Sequence, residues 1–132
     1  MTETILKMLE DKESDNDELN ARLWCFENEF DPGVWVSYTN KSDDEDFLKY
    51  TTSLDAAMSI GKEELDGKLI MFWCEDDGLG TFSCGYYWDE SVDRPIGRIG
   101  GQAHDLPRAI CHARIQALDY VRKEKADENK TN

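Results

Sequence analysis

Six consecutive apolar residues, Leu69-Ile70-Met71-Phe72-Trp73-Cys74, stand between Gly67-Lys68 and the acidic turn Glu75-Asp76-Asp77-Gly78, in a chain that is 33% charged. Such a run is far shorter than the roughly 18 residues of a membrane span and too short for a fully buried helix. It predicts a central β-strand. The following stretch, Gly80 to Trp88, sets Phe82, Cys84 and Tyr86 in alternation with Ser83, Gly85 and Tyr87, which predicts the hairpin partner of that strand. A sheet begun in this way needs amphipathic helices to cover it.

The chain supplies them. Leu106, Ile110, Ala113, Ala117 and Tyr120 recur at helical spacing, widened by Ala109, Leu118 and Val121. This predicts a helix from Leu106 to about Lys123, capped by Asp105 and with Pro107 in its first turn, where a missing N–H costs nothing. Ile5, Leu6, Met8 and Leu9 predict a helix from Thr2 to about Glu13, with Thr2 as its cap. Leu19, Leu23 and Phe26 predict a second from about Asp17 to Asn28, capped by Asn16. Ser53 caps an expected helix from Leu54 to about Glu64, loosened at Gly61. Val34 to Tyr38 reads as a strand after the Asp31-Pro32-Gly33 turn, and Asn40 to Asp46 as a polar loop. Phe47 to Thr51 reads as a short return strand, and Val92 to Gly101 as an edge strand or loop. The expected class is α+β: an antiparallel β-sheet sandwiched by helices (α-β-α), with an N-terminal helical segment. Residues 1–125 form a single domain, and 126–132 a flexible C-terminal tail.

The net charge is −14, and residues 1–80 hold 21 Asp/Glu against 7 Lys/Arg, so the whole excess lies there. Such a field repels nucleic acid and lipid headgroups and attracts basic surfaces. Direct nucleic-acid binding and membrane association are therefore not expected. The start of the chain carries no basic or long apolar leader, so a cytoplasmic location with reduced cysteines is expected. Cys25, Cys74, Cys84 and Cys111 are separated by 49, 10 and 27 positions, which match no zinc pattern. Neighbours Cys111 and His112 in a helix point about 100° apart and cannot act as nucleophile and base. His104 and His112 read as helix cap and decoration. No phosphate loop, dinucleotide fingerprint or nucleophile elbow occurs, so no catalytic residue, metal or cofactor is expected.

Two segments, Tyr50-Thr51-Thr52-Ser53-Leu54-Asp55-Ala56-Ala57-Met58 and Ala103-His104-Asp105-Leu106-Pro107-Arg108-Ala109-Ile110-Cys111-His112-Ala113-Arg114-Ile115-Gln116-Ala117-Leu118, resemble the small phage and prophage proteins with the phage ABA sandwich domain. Arg108 and Ile110 depart from that pattern. The resemblance spans most of residues 15–122. It implies a helix-covered sheet in a phage or prophage protein, and carries no catalytic residues.

With no chemistry to assign, the expected function is partner binding. Asp15, Asp17, Glu18, Asp43, Asp44, Glu45, Asp46, Glu75, Asp76 and Asp77 are the candidate acidic face, with Trp88 or Tyr87 as an aromatic anchor. Carboxylates along one face imitate duplex phosphates. The expected partner is a protein with a basic surface, such as a host defence nuclease of the CRISPR or restriction kind. The alternative is a sponge for a nucleotide-like signal, with Arg94, Arg98 or Arg108 on its phosphates. A structural phage component is a further one.

Overall fold

The computed structural model describes residues 2–31, 33–37, 49–65, 69–88 and 98–130, with the side chains of 69–73, 87–88, 98–99 and 127–130 outside that description. The order is α1 (Thr2–Glu10), α2 (Asn16–Glu27), α3 (Leu54–Met58), α4 (Lys62–Leu65), β1 (Leu69–Asp76), β2 (Phe82–Trp88), β3 (Arg98–Ala103) and α5 (Leu106–Lys130). The class is α+β, with an antiparallel sheet and helices packed together.

α5 is the spine. It lies on β2 and β3, and α1, α3 and α4 pack against it. Ala109, Ile110, Cys111, Ala113, Ile115, Ala117 and Leu118 are all at most 2% exposed, because the helix is enclosed on most sides and not merely on one stripe. Asp105 caps it as expected, its Oδ1 accepting from Arg108 N–H at 2.9 Å. The backbone stays helical to Lys130, beyond the expected end at Lys123 and through most of the expected tail. Lys and Glu are good helix formers, and nothing in residues 123–130 breaks the backbone.

α1 runs antiparallel to α5 and α2 parallel to it. Thr2 Oγ1 donates to Asp119 at one end of α1, and Glu10 faces His112 at the other. Thr2 is thus the first helical residue with its hydroxyl on α5, and not a cap. Ile5, Leu9, Leu19 and Leu23 are fully buried between these helices. Such side chains contribute about 1.5–3 kcal/mol each. Asp15, not Asn16, caps α2: its backbone is extended and its carboxylate accepts from Asp17 N–H at 3.1 Å. Asn16 is drawn into the helix, and its Oδ1 accepts from Arg108.

α2 ends in a complete left-handed stop. Phe30 N–H reaches Cys25 O at 2.8 Å and Glu29 N–H reaches Phe26 O at 3.2 Å, with Glu29 at φ 63°. Phe30 then stacks on Trp24, ring centroids 5.7 Å apart. This is the apolar contact that accompanies such a terminus.

Residues 33–37 form 3₁₀ turns and not the expected strand. The Asp31 carboxylate accepts from Gly33 N–H at 2.8 Å, and Asp31 O accepts from Val34 N–H at 3.0 Å. These bonds close a turn before any strand can pair, and Val34 and Val36 stay exposed. The return strand at Phe47–Thr51 is not formed at its described end. Residues 50–52 form a turn in which Thr51 N–H bonds to Asn20 Oδ1 and buries Tyr50. Tyr38, the loop 40–46 and Phe47-Leu48 lie outside the described residues.

Ser53 caps α3, accepting from Ala56 N–H at 3.3 Å. The expected helix to Glu64 breaks into α3 and α4 at Gly61, whose φ of 65° needs a residue without Cβ. The sheet order is β1-β2-β3, so β2 is central and β1, expected to be central, is an edge of the described sheet. A run of apolar residues does not fix a strand's rank in the sheet. Both neighbouring strands pair with β2, where Cys84 and Tyr86 are buried. β3 can lie on α5 because Gly101 has no side chain. A Cβ there would stand 2.6 Å from Ala113 N and 2.8 Å from Ala109 O.

Candidate functional site

Three loops meet at the N-terminal end of α5. The α1–α2 turn is tied there by Arg108, whose side chain is only 3% exposed. Its guanidinium donates to Asp11 O at 3.1 Å, Ser14 Oγ at 2.7 Å, Ser14 O at 3.3 Å and Asn16 Oδ1. β3 runs antiparallel to α5, since Gln116 Nε2 bonds Gly100 O at 2.8 Å while Ala103 precedes the helix start. Ala103 pairs with Phe82, and Phe82 with Asp76, so the β1–β2 hairpin tip lies at the same end.

The arrangement brings together Glu10, Asp11, Glu13, Asp15 and Asp17 from the α1–α2 side, Asp105 from the helix cap, and Glu75, Asp76 and Asp77 from the hairpin. All but Asp105 are exposed. Lys12, His104, Arg108 and His112 are basic side chains near them: His104 Nε2 lies 3.1 Å from Asp105 Oδ2, and His112 Nε2 lies 3.4 Å from Glu10 Oε1. The hairpin tip is preset by its own carboxylates. Asp76 accepts from Gly78 N–H at 2.9 Å, and Asp77 accepts from Leu79 N–H at 2.7 Å and Thr81 N–H at 3.0 Å. Those backbone donors hold the Asp77 carboxyl below its ordinary 3.8. Leu79 projects from this tip at 89% exposure.

Of the residues expected in the acidic face, Asp15, Asp17, Glu75, Asp76 and Asp77 share this pole. Glu18 lies one turn along α2 and pairs with Arg22 at 2.9 Å. Asp43, Asp44, Glu45 and Asp46 lie outside the described residues, as does Arg94. Tyr87 and Trp88 end β2, and Arg98 begins β3, with their side chains outside the description. Arg108 is a correction: its guanidinium is buried and occupied by the α1–α2 turn, so it is not available to a ligand phosphate.

The other end of α5 holds a polar cleft of about 320 Å³, lined by Glu27, Asn28, Ser59, Gly61, Lys62 and Glu63 among others. The Glu27 carboxylate accepts from Gly61 N–H at 3.1 Å and Tyr50 OH at 3.4 Å. Burial pushes its pKa above the ordinary 4.5, the bonds to Gly61 and Tyr50 opposing this. Beside it Arg122 bonds Phe26 O, Glu27 O and Glu64. Arg114, also buried, bonds Ile60 O at 2.7 Å and Tyr86 OH at 3.2 Å. Periodicity had no means of finding this cleft, because its residues come from distant helix ends. The shared pole was equally hidden, although each carboxylate run was plain.

Among the described residues no three His, Cys, Asp or Glu side chains converge on a position for a metal ion, and no helix is long and apolar enough to cross a membrane. Comparison with family models finds no match, and comparison with curated proteins and with solved structures finds none either. The functional reading rests on the residues themselves.

Proposed function

We propose that this chain is a binding protein that docks its acidic pole on the basic surface of a partner protein. On this reading it is a phage or prophage accessory factor that occupies the nucleic-acid channel of a host defence nuclease. One observation carries the reading: three separate acidic segments are drawn to the start of α5, while the Arg108 guanidinium beside them is turned inward. All of these carboxylates but that of Asp105 are exposed, as a substitute for duplex phosphates must be. The hairpin tip adds an apolar contact at Leu79. The signal-sponge reading loses Arg108, one of its three candidate phosphate contacts.

The test uses the immobilised chain in bacterial lysate, washed from about 0.05 to 0.5 M salt, a range that shortens the screening length severalfold. Nucleic-acid-binding proteins should be retained at low salt, released as salt rises, and displaced by added duplex DNA. The triple variant Glu13→Gln, Asp17→Asn, Glu75→Gln removes charge without touching a cap and should lose the capture. Retention that ignores salt and DNA, or that survives in the triple variant, would refute the reading.

A further inference from the structure

Cys74 and Cys84 are directly opposed across the β1–β2 pair, and both are free thiols. Directly opposed residues of an antiparallel pair project from the same face, with Cα atoms about 4.5 or 5.5 Å apart depending on the hydrogen-bonding site. Both spacings fall within the roughly 4.4–6.8 Å that a disulfide spans. The thiols differ in access: Cys74 is exposed, whereas Cys84 is 1% exposed on the face toward α5.

We propose that this pair is an oxidation site, a dithiol that closes into a cross-strand disulfide by exchange with a small-molecule disulfide of the glutathione class. The exposed Cys74 thiolate attacks one sulfur of the reagent. A Cys74–S–S–R bond forms, the reagent's S–S bond breaks, and one RS⁻ leaves. The Cys84 thiolate then attacks Cys74 Sγ, and the second RS⁻ leaves. Two protein thiols lose two electrons and two protons, and one RSSR becomes two RSH. Cys84 is the resolving group because it is the thiol directly across the strand pair. Burial, and next the neighbouring Cys74, push its pKa up to about 12. The other two thiols are placed differently. Cys111 is buried in α5 with its Sγ donating to Tyr50 O at 3.4 Å, and Cys25 is buried in α2. The bridge would pin β1 to β2 two residue pairs from the acidic tip, through Glu75↔Ser83 and Asp76↔Phe82. The proposal does not depend on the docking reading.

The experiment is oxidation of the reduced full-length chain with oxidised glutathione, followed by thiol counting in denaturant and peptide mass mapping. Trypsin releases Leu69–Arg98 as one peptide, because Pro95 protects Arg94, and this peptide carries Cys74 and Cys84 and no other cysteine. The count should fall from four thiols to two. That peptide should become lighter by two hydrogens and regain them on reduction, while Cys25 and Cys111 remain alkylatable. The exposed-site variant Cys74→Ser should keep all its remaining thiols. A stable mixed disulfide on Cys74, covalent dimers, a bridge to Cys111, unchanged thiols, or two thiols lost from Cys74→Ser would each overturn the proposal.

Discussion

Adding one methyl group at Gly101 should unseat the sheet from its spine. An ideal Cβ at this position meets Ala113 N at 2.6 Å, Ala109 O at 2.8 Å and His112 Cβ at 2.8 Å. Two of these are helix backbone and cannot rotate away, so β3 and α5 must part by roughly 0.7 Å to restore ordinary contact. A gap of that size forfeits a quarter to a half of the dispersion attraction across the contact. Together with the strain of overpacking, Gly101→Ala should cost about 2–4 kcal/mol. The neighbouring Gly100→Ala is the control, because its Cβ would meet only Cys84 O, at an ordinary 3.6 Å. It should change stability by less than about 1 kcal/mol, with the reduced freedom of the unfolded chain acting in its favour. Urea unfolding followed by tryptophan fluorescence separates the two. With a slope of about 1.5 kcal/mol/M, Gly101→Ala should lower the midpoint by about 1.3–2.7 M at unchanged slope. If Gly101→Ala unfolds within about 0.5 kcal/mol of the parent, or both variants lose equal stability, the close approach of β3 to α5 is wrong.

Two further outcomes follow from local geometry. Glu29 holds φ 63° at the end of α2, a conformation that costs a side chain but not glycine, so Glu29→Gly should raise stability by about 0.5–1 kcal/mol in thermal unfolding. A loss would show that Glu29 makes contacts that outweigh its backbone. Burial pushes the pKa of His112 below its ordinary 6.5, Glu10 at 3.4 Å opposing this only in part. The unfolded chain then binds the proton more readily than the folded one. Stability should therefore hold above pH 6.5 and decline as pH falls from there toward the folded pKa. The raised pKa of Glu27 acts in the opposite sense, adding stability as pH falls through its folded value. His112→Gln should remove the decline below pH 6.5 in urea titrations and leave the Glu27 contribution; a variant with the parent's slope would refute the assignment.

Two of the four expected caps, and the hairpin, were readable from local chemistry. Asp105, Ser53 and the alternation of Phe82, Cys84 and Tyr86 each act within a few residues, where sequence spacing and spatial distance agree. What spacing missed depends on partners far along the chain. Val34 and Val36 carry strand propensity, yet the Asp31 carboxylate closes a turn first. Asn16 and Asp15 are equivalent as caps on paper, and Arg108, 92 positions from Asn16, claims the former. Arg108 itself looked like a surface cation until the α1–α2 turn supplied its acceptors. The acidic runs were evident, but their assembly into one pole follows from helix directions and strand register, which no single segment encodes.

The position of the spine after the elements it gathers bears on how the protein emerges during synthesis. Thr2 waits for Asp119, the α1–α2 turn for Arg108, and the end of α2 for Arg122. Until α5 has left the ribosome, the earlier helices lack the surface that most of them pack upon. Assembly is therefore a late, concerted event with costly loop closures. A ribosome stalled before α5 would hold an acidic chain whose own charge repulsion delays collapse and keeps it from its neighbours.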